Sequence, residues 1–121
     1  MISAHKKYIF VLSLFLLVLG VGGFIQQPIL GIFGVNIYQN ILHIVAGLIG
    51  LGFSFKLPAV FIKWFGWLSL AFGVVGFIPF TDVLLRRAFG ANISISWLHI
   101  ALGIVSILVG YSAMEKPNHE Q

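Results

Sequence analysis

His43 and His99 are the residues of this chain best placed to do chemistry. Each is the lone ionisable group of a long apolar run, and each belongs to a stripe of polar and small residues. The first stripe reads Asn36, Asn40, His43, Gly47, Gly50, Ser54, and the second reads Asn92, Ser96, His99, Gly103, Ser106, Gly110. Steps of four and three put every member of a stripe on one face of a helix. Each member of the second stripe follows its counterpart by 56 positions. Two imidazoles at one height on related helices could hydrogen-bond between helices, to a backbone carbonyl, to Asn40 or to Ser96. They could instead ligate one haem b from its two faces, with the glycines making room and Arg86 or Arg87 reaching the propionates. They could also line a path for a proton or a solute, because an ionisable group inside a span is a functional candidate. The structural role is the expectation carried forward, with haem b on His43 and His99 as the alternative and otherwise no cofactor.

Other chemistry is poorly supplied. The chain has no cysteine, which excludes disulfides, thiolate metal sites and cysteine nucleophiles. Two histidines fall short of the three or four ligands of a zinc site, so no metal is expected. Asp82 is the only acid between the termini, so there is no carboxylate pair and no nucleophile–base–acid set. Ser106 sits two helical turns from His99, too far for a direct bond. Catalysis is not expected. The net charge of +4 comes from Lys6, Lys7, Lys56, Lys63, Arg86, Arg87 and Lys116, scattered between apolar runs. That scatter reads as topology signals and lipid headgroup contacts, with no patch for nucleic acid.

The elements that must position the histidines are apolar helices. The composition is 60% hydrophobic and 8% charged, against about 25% charged in a soluble domain. The expected solvent is a lipid bilayer. Four apolar runs stand out: Tyr8 to Ile25, Tyr38 to Phe55, about Phe61 to Ile78, and about Ile95 to Met114. Each holds about 18–20 residues, roughly the length of helix that crosses a hydrocarbon core. Lys6-Lys7 before the first run has the look of a signal peptide, but the run is long for one and no A-x-A site follows. Gly20-Val-Gly-Gly-Phe-Ile25 also matches Gly73-Val-Val-Gly-Phe-Ile78 at an offset of 53, which makes the first run half of a structural unit.

The sequence therefore predicts an all-α, integral membrane, four-helix transmembrane bundle built from two parallel helix-hairpin repeats, one single domain over 1–121. Repeat 1 covers about 8–55 and repeat 2 about 61–114. Phe33-Gly-Val-Asn36 matches Phe89-Gly-Ala-Asn92, so the second copy carries three extra residues before Phe89. Two helices per unit give both units the same orientation, with a pseudo-twofold axis along the membrane normal. Lys6, Lys7, Lys56, Lys63 and Lys116 against Arg86 and Arg87 favour both termini in the cytoplasm, in a multi-pass cell-membrane protein. Thr81 to Phe89 reads as a short amphipathic helix, with Thr81 as cap, Asp82 and Arg86 four apart, and Gly90 ending it. Trp64, Trp67 and Trp97 suit an aromatic belt, and the tail from Glu115 is polar. The small residues, with Gly20/Gly23 and Gly66/Gly73/Gly76 on the first and third helices, are expected to pack helices together. The histidine–glycine seams are expected to join the second and fourth helices.

The Phe-Gly-x-Asn segment, Asn40-x-x-His43-x-x-x-Gly47-Leu-x-Gly50, the Gly-x-x-Gly-Phe-Ile helix and Trp97-Leu-His99-Ile-x-Leu-Gly103 carry a family likeness. Over about residues 10 to 112 the chain resembles small four-helix bacterial membrane proteins grouped as domain of unknown function 4383. The resemblance implies a polytopic protein of the bacterial inner membrane and no established activity. The function expected is that of a small structural or accessory membrane subunit, in a homodimer or a larger membrane complex. The alternatives are a bis-histidine haem b redox protein and a small dimeric transporter of a neutral or lipidic molecule.

Overall fold

The computed structural model describes residues 3–112. They form five α-helices: α1 (Ala4–Ile25), α2 (Ile37–Phe53), α3 (Pro58–Val75), α4 (Thr81–Phe89) and α5 (Ile93–Gly110). Among the described residues there is no strand, only an isolated bridge between Ile29 and Phe33. Three of the helices, α1, α3 and α5, are long and apolar enough to cross a membrane, and α2 is an apolar helix of 17 residues. The polar tail from Glu115, and Met114 at the end of the fourth run, lie outside the described residues.

Local chemistry sets the helix ends. Asn36 Oδ1 accepts the Gln39 N–H at 3.0 Å, and Asn92 Oδ1 accepts the Ile95 N–H at 3.0 Å, each supplying an acceptor to an otherwise unpaired first-turn donor. Pro58 opens α3, where a missing N–H costs nothing. Gly90 ends α4 with φ +69°, a left-handed conformation that a side chain resists. Thr81 does not cap α4. Its hydroxyl donates backwards to the Val75 and Ile78 carbonyls at 2.8 and 3.1 Å, which ties α4 to the end of α3. Phe80 holds the cap position, with φ +85° and no side-chain bond.

The distribution of side chains is inverted relative to a water-soluble protein. Val18, Trp64, Leu68 and Leu108 are each about two-thirds exposed, while Ser13, Asn40 and Ser106 are fully buried. Large apolar side chains face outward on every long helix, an arrangement compatible with a membrane protein. Between membrane helices, lipid tails are as apolar as leucine, and close backbone approach takes over the work of holding helices together.

Glycine provides that approach, and it does so within the hairpins. α1 packs along α2 and α3 along α5, with far less contact across the two pairs. A methyl group on Gly73 would lie 2.6 Å from the Ser96 carbonyl oxygen and 2.8 Å from the Ile100 nitrogen. Gly20 meets the corresponding atoms, the Asn40 carbonyl and the Ile44 nitrogen, on α2. Gly47 lies against Ser13 and Leu17 of α1, and Gly103 against Gly66 and Leu70 of α3. The expectation that the glycine seams join the second and fourth apolar helices is therefore corrected. A stripe with steps of three and four is broad enough to serve two neighbours. Its glycines turn to the hairpin partner, and its histidines turn to the other hairpin.

Replacing Gly73 with Val should separate α3 from α5 and cost about 1–3 kcal/mol, the usual penalty of overpacking. Gly52 has nothing within 4 Å of an added Cβ, so Gly52→Val should leave the melting temperature in detergent nearly unchanged. Equal melting temperatures for the two variants would refute this packing.

Candidate functional site

The two histidines meet in the middle of the bundle. His43 on α2 and His99 on α5 are 6% and 7% exposed. Their Nε2 atoms stand 3.4 Å apart, and the ring centroids are 5.6 Å apart at 36°. The contact is a long N–H···N hydrogen bond in which one imidazole donates and the other accepts. Two imidazolium rings would present donors only and could not form it. The sequence suggested a carbonyl, Asn40 or Ser96 as partner; each ring meets the other, and the Ile95 carbonyl also interacts with His99. Phe72 of α3 closes the His99 side, its ring edge-on at 4.8 Å between centroids. Ser69 donates to the His99 carbonyl oxygen at 2.8 Å, pinning α5 to α3 at that level.

Above the pair, towards the Asn36 and Asn92 ends, lies a polar girdle. Asn36 Nδ2 donates to the Ala88 carbonyl at 3.0 Å, and Asn92 Nδ2 donates to the Ile32 carbonyl at 2.9 Å. Donors and acceptors alike are 56 positions apart, so each hairpin's capping asparagine grips the loop of the other. Asn92 Oδ1 also accepts from Gly34 N–H at 2.9 Å. Gln39 Nε2 adds bonds to the Gly34 and Phe89 carbonyls at 3.2 and 2.8 Å. Gly34 and Gly90 sit where this interlock is tightest, and a Cβ on either would press on the backbone of the opposite connection. Asparagine is a favoured helix cap, so the first bond of each follows from its residue type. The second bond does not, because nothing local to residue 36 points to residue 88.

Below the pair the bundle turns apolar. Leu12, Leu16 and Leu19 form a buried cluster with Phe61, Phe65, Leu98 and Leu102 around it. Further along, Tyr8 OH and Ser106 Oγ are 2.7 Å apart, and His5 Nε2 is 2.7 Å from the Val109 carbonyl oxygen. These tie α1 to α5 at the end opposite the asparagines. Neither Tyr8 nor His5 has a like residue in the second half, so periodicity carried no hint of them.

Several buried polar atoms have no hydrogen-bond partner in the protein: Nδ1 of His43, both side-chain polar atoms of Asn40, Gln39 Oε1 and Ser13 Oγ. Asn40 lies over Gly23, Ser96 over Gly76, and Ser13 Oγ beside Gly50, so these stripe members face their own hairpin partner. Gly47 and Gly103 line backbone contacts and no cavity around the imidazoles. The arrangement joins two hairpins through a few side-chain bonds at three levels. Among the described residues, no group of three or more His, Asp or Glu gathers to hold a metal ion.

Two perturbations separate the levels. A double-mutant cycle on His43→Ala and His99→Ala should return a coupling of roughly 0.5–1.5 kcal/mol, the range of hydrogen bonds between membrane helices. Asn36→Ser keeps a helix-capping oxygen but is too short to reach Ala88, so it should cost about 1 kcal/mol through the lost cross-hairpin bond alone. Additive histidine variants, or an Asn36→Ser protein as stable as the parent, would contradict this geometry.

No curated protein and no solved structure matches the chain. A family model described as Domain of unknown function (DUF4383) matches residues 6–112, spanning all five helices. The match covers most of the sequence, including both stripes, both histidines and both Phe-Gly-x-Asn segments. The chain belongs to the domain of unknown function 4383 family.

Proposed function

We propose that the chain is a four-helix transmembrane protein of two parallel hairpin repeats, α1–α2 and α3–α5, with α4 lying at the membrane surface in the second connection. The single observation that carries the reading is the direct meeting of His43 and His99 inside the bundle. Residues 56 apart, or 53 apart on α1 and α3, make equivalent contacts at the caps, the loops and the glycine seams, which supports a duplicated unit with a twofold axis along the membrane normal. The basic residues favour both termini on the cytoplasmic side of a bacterial inner membrane.

Its activity on this reading is non-enzymatic: a small structural or accessory membrane subunit, acting as a homodimer or within a larger membrane complex. The groups that catalysis would need are engaged elsewhere. Each imidazole nitrogen facing the interior is bonded to the other ring, and Asp82 lies 3.6 Å from Arg86 on the half-exposed α4. The haem alternative loses ground to the same distance. Metal–imidazole bonds of about 2.0 Å on each side of an iron would part the nitrogens by about 4 Å and require a slot for the porphyrin. Here the nitrogens are 3.4 Å apart, with Phe72 against the His99 ring. A transporter path near Gly47 and Gly103 is equally unsupported, because helix backbone and leucine fill both positions. A proton path meets the leucine cluster below the pair.

Two experiments test the reading. The chain has no cysteine, so single cysteines report cleanly. Leu30→Cys and Arg87→Cys should react with an impermeant maleimide from one side of the membrane, and Phe55→Cys from the other. Labelling of Leu30 and Arg87 from opposite sides would overturn the parallel repeat. Protein expressed with haem supply should purify without a Soret band. A Soret band lost on His43→Ala would overturn the structural role in favour of haem.

A further inference from the structure

The two halves differ beside α1 and α5. An open cup of about 550 Å³ lies between α1, α5 and the turn that follows α1. Phe15, Val18, Leu19, Gly22 and Ile25 form its wall on α1, and Leu98 faces them from α5. Ile29, Leu30 and Phe33 roof it, and Gln26 is its one polar residue, at the rim. The volume falls in the range of small-molecule sites.

The equivalent place in the second half carries larger side chains. Leu19 corresponds to Phe72, whose ring packs edge-on against Phe89 at 5.4 Å and against His99 at 4.8 Å. The turn at Ile29–Leu30 corresponds to α4, whose Leu85 packs on the buried cluster of Val35, Ala91 and Ile95. Gly22 corresponds to Val75. A Cβ on Gly22 would meet nothing within 4 Å. A larger side chain there would fit, so the open space is not needed for helix packing.

We propose that this cup is a binding site for one phospholipid acyl chain, from the leaflet that borders the Asn36 and Asn92 loops. The site rests on the transmembrane reading above. Its dimensions select the occupant. The wall from Phe15 to Ile25 rises about 15 Å, half of the roughly 30 Å hydrocarbon core and so the reach of one chain in one leaflet. Gln26 sits where the chain would meet its ester. Its Oε1 accepts the Leu30 N–H at 2.8 Å, which leaves the amide NH₂ to donate to an ester carbonyl.

The test uses the full chain in phosphatidylcholine vesicles containing a small fraction of phosphatidylcholine with a diazirine in its acyl chain. After photolysis, labelled residues are mapped by mass spectrometry. Labels should concentrate on Val18, Gly22 and Leu98, several-fold above their counterparts Ala71, Val75 and Leu42. Gly22→Phe should reduce labelling at Val18 and Leu98 several-fold and leave other lipid-facing positions unchanged, with Gly22→Leu as a milder filling should Phe impair folding. Equal labelling of the two halves overturns the site, and that comparison needs no variant. Labelling insensitive to both Gly22 variants, or cross-links from the cup to a second copy, overturns it as well. A chain stripped from the vesicles by alkaline carbonate would remove the transmembrane reading itself, an outcome distinct from an inserted chain labelled evenly.

Discussion

Helices in lipid gain nothing by hiding leucine from their surroundings. What remains to hold them is close contact and the need of polar groups for partners. Both terms are visible here and they act at different interfaces. Backbone contact over Gly20, Gly47, Gly73 and Gly103 closes each hairpin. Polar side chains then join the hairpins, by way of Asn36 and Asn92 at one end, the imidazoles in the middle, and Tyr8 and His5 at the other end. Each polar bond is modest, but the alternative for either imidazole is an unsatisfied ring among apolar side chains. That alternative fixes the rotation of α2 and α5 about their axes.

The duplication proposed above accounts for the paired geometry. A residue lying near a twofold axis meets its own copy, and histidine is suited to that position because one neutral ring can donate to an identical one that accepts. Asn36 and Asn92 solve a related problem away from the axis. Each carries an acceptor for its own helix and a donor for the opposite loop. Where the halves diverge, function has room to enter. The second half, three residues longer before Phe89, forms α4 and closes one flank with Phe72, Leu85 and Phe89, while the first half keeps a short turn and an apolar recess.

Much of this was legible in the residues. The apolar runs located the long helices, and Asn-x-x-x-x-x-x-His marked both the cap and the buried ring in each half. Asp82, Arg86 and Gly90 announced α4 to within its observed bounds. What the sequence hid was which neighbour each face of a stripe would meet. Periodicity gives a direction on one helix and says nothing of the helix opposite, so the glycines were assigned to the wrong interface. Thr81 was misread for a similar reason. A hydroxyl at a helix start can accept from the turn ahead or donate to the turn behind, and the free carbonyls of Val75 and Ile78 decided it.

The distance between the two imidazoles tests the account most directly. Solid-state NMR on protein labelled with ¹⁵N-histidine in lipid bilayers can detect dipolar contact between ring nitrogens. The account requires a cross-peak between the Nε2 atoms of His43 and His99 consistent with 3.4 Å, absent when either is replaced. Two rings without that contact, each exposed to acyl chains, would contradict it.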